Sequence, residues 1–205
     1  MNNINSTTHR SIKDKLSGVI GSEFLRNLYS TWCDIHGLEK TDEIAFRHVE
    51  EYPIVKAIGG LSITGRPKIS TQRIDYVYLV EPGGGAIYHT RCFTVGVEIK
   101  SSLMDLENIP QQVLRYQGHC DYFFVMVRTQ HVWEAMSRVK DHPNIGVSSF
   151  ESGIIYKFPK EMMVSKDNRI TMLYRMLLCP YQETKNIICI KESEEMMQKK
   201  QTDSQ

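Results

Sequence analysis

No stretch of this chain approaches the roughly 18 to 20 consecutive apolar residues that a membrane-spanning helix needs, which argues for a soluble protein with no membrane partner. Its first residues, Met1-Asn2-Asn3-Ile4-Asn5-Ser6, lack the basic start and apolar middle of a secretory signal, so a cytoplasmic location is expected. Cysteine is sparse and scattered: Cys33, Cys92, Cys120, Cys179 and Cys189 are odd in number and contain no Cys-x-x-Cys, and the seven histidines show no ligand spacing, which argues against a zinc site. An excess of either charge is also missing. With 25 basic and 24 acidic residues the net charge is +1, so a strongly basic polyanion-binding domain is excluded and any nucleic-acid footprint must be local. The residues available for one are Arg66, Lys68 and Arg73, then Arg115 and His119, then Lys157, Lys160 and Lys166; taken singly, most read as solvated surface charges.

What is present is ordinary globular material: 205 residues, 41% hydrophobic, enough for one domain with a single buried core. Thr7 to Ile20 fits a short helix weakened by Gly18. Gly21-Ser22 reads as a break, with Ser22 capping a helix to about His36 whose apolar face is Phe24, Leu25, Leu28, Tyr29, Trp32 and Ile35. Glu43 to Val55 reads as a strand interrupted near Glu50-Glu51, and Gly59-Gly60, Gly65 and Pro67 as a loop suited to a flap over a groove or to an inert connection. Past the central region, His131 to Asp141 predicts a helix, Ile145 to Phe150 with Gly153 to Phe158 a small hairpin, and Asp167 to Leu178 a last helix.

The chemistry concentrates between Arg73 and Val127. Gln72 to Val80 is a β-rich run containing Asp75, Pro82-Gly83-Gly84-Gly85 suits a reversal, and Cys92 to Lys100 returns beside it. Residues two apart on a strand project from one face about 6.5 Å from each other, so Glu98 and Lys100 point together while Ile99 faces away. Asp75 can reach the same end, which is expected to be open to solvent. Two carboxylates there would offer hard oxygen ligands to a divalent cation, beside an ammonium able to hold a water or a phosphate oxygen. After the polar connection Ser101 to Glu107, Pro110 to Gly118 predicts a short helix with Gln112 and Tyr116, four apart, on one face. Tyr122 to Val127 is a continuous apolar run, as in a strand covered on both faces.

Asp75, then Glu98-x-Lys100, then Gln112-x-x-x-Tyr116 before a buried strand resembles the PD-(D/E)xK nuclease superfamily, in the branch carrying a Q-x-x-x-Y motif. Val97-Glu98-Ile99-Lys100-Ser101-Ser102 with Asp105, Cys120-Asp121, Pro143 to Val147 and the segment Arg169 to Met176 is similar to the MmcB-like DNA-repair nuclease family, over roughly Gly21 to Leu178. Ile74 stands where the superfamily's nominal proline would be, a position at which that proline is often missing.

The resemblance implies an α/β fold with a restriction-endonuclease-like core, a mixed central sheet flanked by helices. It places a nuclease-like domain at 21–180, after an N-terminal extension at 1–20 that is partly helical and before a polar, largely disordered tail at 181–205. The implied activity is metal-dependent hydrolysis of nucleic-acid phosphodiesters, DNA before RNA, in repair, recombination or mobile-element processing. Asp75, Glu98 and the Ile99 carbonyl would hold Mg²⁺ or Mn²⁺. Lys100 would orient or deprotonate the attacking water, and Gln112 would fix a water or a phosphate. Tyr116 would touch the nucleic-acid backbone or brace Gln112, although a tyrosine so placed also commonly packs on the sheet. Arg115, Arg73, Arg66 and Lys68 are the implied nucleic-acid contacts. Glu23 matches the acidic residue that many superfamily members place on the first helix near the metal; Glu50 and Glu51 compete for that role, and a first-turn carboxylate favoured by the helix dipole explains Glu23 equally well. A homodimer is compatible with all of this. The alternative function is a catalytically silent nucleic-acid-binding module of the same fold within a larger complex.

Overall fold

The structure, a computed structural model, describes residues 19–41, 44–61, 67–82, 92–102, 104–116, 118–164, 166–168 and 170. Within them the backbone forms one six-stranded sheet in the order β1-β2-β3-β4-β5-β6. Strands β1 (Ile44–Leu61) and β2 (Pro67–Pro82) make a long antiparallel hairpin, and β3 (Phe93–Lys100) returns antiparallel to β2. β4 (Tyr122–Val127) and β5 (Gly146–Ser149) then add in parallel, and β6 (Ile155–Lys157) closes the sheet antiparallel to β5. Parallel neighbours require crossovers, and here each crossover carries a helix: α2 (Ile109–Tyr116) between β3 and β4, and α3 (Val132–Arg138) between β4 and β5. Helix α1 (Val19–His36) covers the opposite face. The architecture is the α/β class expected, a mixed sheet flanked by helices. None of the described helices is long and apolar enough to cross a membrane.

The covering of both faces explains why β3 and β4 are buried along their whole length and why β4 is a continuous apolar run. On one side Phe24, Leu25, Leu28 and Trp32 of α1 meet Tyr76, Val95, Val97 and Phe124; the Phe24 ring lies edge-on to Phe124 at 5.2 Å and Trp32 stacks on Phe93 at 4.6 Å. On the other, Ile109, Val113 and Tyr116 of α2 and Val132 and Ala135 of α3 meet Val77, Phe123, Val125 and Val147.

Several boundaries differ from expectation. Helix α1 runs through Gly21 and Ser22, so Ser22 is an interior residue rather than a cap. An interior glycine costs about 1 kcal/mol, which burial of the Phe24 to Trp32 stripe, at about 1.5–3 kcal/mol for each large side chain, outweighs. Gly59, Gly60 and Pro67 belong to the β1–β2 hairpin and not to a loop; the hairpin's tip, 62–66, lies outside the described residues. A single 3₁₀ turn, Met104–Asn108, replaces part of the polar connection after β3. Residues 1–18 of the N-terminal extension, the glycine-rich reversal after Pro82, most of the last helix and the polar tail lie outside the described residues, and Val19 and Ile20 belong to α1.

A buried carboxylate fixes the β3–β4 register. The Asp121 Oδ2 atom accepts from the Thr94 N–H at 2.7 Å and from its hydroxyl at 2.8 Å, while the Asp121 N–H donates to Thr94 Oγ1 at 3.1 Å. The clamp sits one residue before the first parallel pair, Val95 with Tyr122, and so determines which residue of β4 stands beside Glu98. Packing is closest at Gly146, where a Cβ would lie 2.6 Å from the Phe124 ring and 2.7 Å from Pro159. Because a ring in a full core yields little, Gly146→Ala is expected to cost about 1–3 kcal/mol, measured by urea unfolding, and Gly96→Ala, whose new methyl would meet Phe123 at 2.9 Å, less.

Candidate active site at the carboxyl edge of the sheet

Antiparallel pairing between β2 and β3 runs from Val80 with Phe93 to Tyr76 with Val97 and stops there, although both strands continue. The Ile99 N–H, which would next have met the β2 backbone, instead donates to Asp75 Oδ2 at 2.8 Å. A matching irregularity marks the hairpin. Val49 and Tyr52, three residues apart, bury on one face, and so do their partners Val77 and Ile74, whereas a regular strand repeats every two residues. The pairing register is nevertheless unbroken through Glu50 with Tyr76 and Tyr52 with Ile74, and β1 runs as one continuous strand, so the interruption expected near Glu50-Glu51 is a change of buried face and not a break. Asp75 lies at that change of face.

Glu98 and Lys100 project from β3 on the face that α2 and α3 cover, since Val95, Val97 and Ile99 between them belong to the α1 side. The Lys100 ammonium donates to Glu98 Oε1 at 3.0 Å. Both residues are 8% exposed, so the solvent-open strand end expected from the sequence is in fact a covered ion pair, because helices close both faces of β3. Burial foremost, then the neighbouring Asp75 carboxylate, pushes the Glu98 carboxyl up from 4.5 to about 7, against the opposing pull of Lys100. Its second oxygen, Oε2, is buried with no hydrogen-bond partner among the described residues, and Gln112 Oε1 is in the same condition. Two buried acceptors without donors are a costly arrangement unless something electropositive meets them. A hard divalent cation takes oxygen ligands of this kind, so the donor set fits magnesium or manganese.

Of the other anticipated residues, Tyr116 is buried against Phe123 at 5.3 Å, and its hydroxyl donates to the Arg73 carbonyl at 3.0 Å. It therefore packs rather than presenting itself to a ligand, and it ties α2 to β2 two residues before Asp75. Arg73 is exposed. Arg66 and the side chains of Lys68 and Arg115 lie outside the described residues. Glu23 is exposed on α1, on the layer opposite Glu98, with its Cβ against the β5–β6 turn at Gly153. Glu50, exposed, lies 3.9 Å from His48 Nε2, and the Glu51 side chain lies outside the described residues. The structure thus brings Asp75, Glu98, Ile99 and Lys100 together on neighbouring strands; Gln112 lies on α2, which packs on the face from which Glu98 projects, Glu23 on the helix of the opposite layer and Glu50 on β1. Among the described residues no group of three or more His, Cys, Asp or Glu side chains is gathered for a metal. Asp121, in sequence only one residue of the resemblance, proves to be the clamp that holds β3 in place.

The raised Glu98 carboxyl sets a pH dependence. Between about 4.5 and 7 the native protein keeps a proton that the unfolded chain has lost, so this contribution is full at low pH and disappears as pH rises through 7. In EDTA the melting temperature should fall from pH 5 to pH 8 by an amount equivalent to at most about 3 kcal/mol, and Glu98→Gln should remove that part of the slope. An unchanged slope in the variant would show that Glu98 titrates normally.

No protein-family model matches the chain, and no curated protein matches it. A solved structure that is similar is the SPO1766 protein of unknown function from Silicibacter pomeroyi, with a TM-score of 0.41 and 18% identity over 72% of this chain and 77% of that one.

Proposed function

We propose that this protein is a metal-dependent phosphodiesterase acting on nucleic acid, DNA before RNA, built on a restriction-endonuclease-like core. The observation that carries the reading is the buried Glu98 carboxylate, paired with Lys100 at 3.0 Å through one oxygen and unbonded at the other, beside the strand bearing Asp75. Glu98, Asp75 and the Ile99 carbonyl would hold Mg²⁺ or Mn²⁺, with Gln112 Oε1 as the polar atom nearest in role. The cation would supply a Lewis acid that lowers the pKa of a water and stabilises charge on phosphate oxygens.

The chain's own groups have distinct tasks. Lys100 carries the cation that orients the attacking water or neutralises a phosphate oxygen, and its bond to Glu98 keeps it aimed along β3. Asp75, by accepting from the Ile99 N–H, sets the gap between β2 and β3. Tyr116 acts as a positioning residue, since its hydroxyl fixes the β2 backbone at Arg73. Covering by α1 and α2 excludes water and strengthens each of these interactions. A silent binding module of the same fold is the competing reading, favoured by the engagement of Asp75 with Ile99 in place of a ligand.

Incubating the wild type with single-stranded, duplex and branched DNA and RNA in Mg²⁺, Mn²⁺ or EDTA separates the two. Metal-dependent cleavage is expected, and binding without cleavage in every metal would favour the silent module. Glu98→Gln and Asp75→Asn should each lower turnover by at least about 100-fold, the scale for losing a principal electrostatic group at a reacting centre. Lys100→Ala should be as inactive yet retain Mn²⁺ binding by calorimetry, since lysine is no ligand. Urea unfolding provides the control, because truncating one partner of a buried pair can itself cost about 3–5 kcal/mol.

A second measurable consequence concerns Tyr116. Tyr116→Phe keeps the ring against Phe123 and removes one hydrogen bond to Arg73, so it should cost about 0.5–1.5 kcal/mol in urea unfolding. Cleavage should fall more than stability alone explains, in kcat rather than KM, if the bond positions β2. Equal kcat values at full folding would remove Tyr116 from the machinery.

A further inference from the structure

Lys100 and Val127 are register partners, so the chain leaves β3 and β4 side by side at one edge of the sheet. After Lys100 it enters the 3₁₀ turn Met104–Asn108, and after Val127 it passes Arg128 and a second short turn, Thr129–His131, into α3. The first of these turns packs on α3. Each of the two contacting elements exposes one large apolar side chain: Met104 is 83% exposed and Trp133 is 77% exposed. Both lie on the connections that leave β3 and β4 at the edge where Lys100 ends β3.

Trp133 is not a core residue that has been left partly uncovered. Val132, Ala135 and Val139 are the side chains by which this segment packs, and Trp133 falls one position off that stripe. Among the described residues it has no ring contact. Trp32, the only other tryptophan, is buried and stacked on Phe93. The surroundings are polar and partly cationic. Arg128 has no ion pair among the described residues, Thr129 and Gln130 are exposed, and the one ion pair on α3 joins Arg138 to Glu134 at 2.8 Å. An exposed indole on α3, a thioether on the turn that packs on α3 and a guanidinium on the segment leading into it lie on the connections at the edge of the candidate site, and together they offer what an unpaired nucleobase requires: a π surface for the base and a cation for its phosphate. A duplex keeps its bases stacked inside and has none to offer such a surface unless a nucleotide is extruded.

We propose that Trp133, with Met104 on the turn that packs on its helix, is a stacking platform for an unpaired base of the strand whose phosphodiester lies at Glu98 and Lys100, so that the substrate is single-stranded or locally unpaired. This rests on the nuclease reading of the neighbouring site and adds a substrate class to it. Recognition by stacking tolerates any base, so little sequence preference is expected.

The test uses the full chain in EDTA, where nothing is cleaved, with fluorescein-labelled oligodeoxythymidylate, oligouridylate and a DNA duplex at one salt concentration. Titration with either single strand should quench the exposed indole. Trp133→Ala should raise Kd for the single strands about 5- to 100-fold, Trp133→Phe should recover part of the loss, and duplex affinity should stay unchanged. At 77% exposure the ring supports little of the core, and circular dichroism of each variant verifies the fold. Unchanged Kd with unquenched emission, equal losses on single strand and duplex, or a change only in oligomeric state by light scattering would each overturn the platform. A wild type that binds and is quenched but never cleaves in Mg²⁺ or Mn²⁺ would fail the nuclease reading and leave the platform standing. One that cleaves while Trp133→Ala binds normally would do the reverse, and one that binds no nucleic acid would sink both.

Discussion

The parting of β2 from β3 is the constraint on which the candidate site depends. A strand that leaves its neighbour abandons backbone donors, and a buried N–H without an acceptor costs about as much as a lost hydrogen bond. At Ile99 that donor is taken by the Asp75 carboxylate, which lets the strands separate without an unpaired group. Three features accompany the separation: the matched changes of buried face in β1 and β2, the Tyr116 hydroxyl on the Arg73 carbonyl, and the Asp121 clamp that stops β3 from sliding along β4. A change in any of them would move Glu98 and Lys100 without touching either.

Those two residues would be poor choices for stability alone. Removing an ion pair from water costs several kcal/mol for each ion, and the attraction between them repays it only when the remaining lone pairs are satisfied. Here one is not, because Glu98 Oε2 has no donor among the described residues. An apolar pair of similar volume would suit a strand covered on both faces better, as Val125 and Val127 do in the same rows of β4. The imbalance, together with a carboxyl raised to about 7, accords with the cation site proposed above.

Much of this was legible in the sequence because it depends on short-range pattern. The two-residue spacing of Glu98 and Lys100, the four-residue spacing of Gln112 and Tyr116 and the apolar run Tyr122 to Val127 each fix a face or a burial state, and the strands and helices that follow from them are present. What the sequence leaves open depends on the third dimension. A helical carboxylate such as Glu23 carries no mark of which layer its helix will cover. Nor does an exposed strand end differ in sequence from one buried beneath α1 and α2, which is why Glu98 and Lys100 are more enclosed than their charge suggests. The long hairpin was obscured by Gly59, Gly60 and Pro67, residues that usually mark turns but here lie within strands. Trp133 had a visible signal, a large aromatic one position off the core stripe of a short helix. It becomes meaningful only when β3 and β4 are known to be parallel neighbours that release their chains at one edge.

That edge also explains why so much chemistry is compressed into so few residues. Parallel strands joined by helical crossovers deliver every connection to the same side, and in open α/β sheets ligands bind outside the carboxyl ends of the strands. The antiparallel β2 breaks this regularity by running past the end of β3, so its Asp75 meets the carboxyl edge from the direction opposite to the helices. The result is asymmetric: Glu98 and Lys100 are buried on the helix-covered face at the end of β3, while an exposed indole and a thioether stand on the connections that follow β3 and β4. A single strand laid along the edge would place its charged backbone over the enclosed groups and its bases toward the apolar ones. A duplex would offer backbone to both positions and use only half of the surface. Under the nuclease reading proposed above, the arrangement favours a substrate whose bases are free to turn outward.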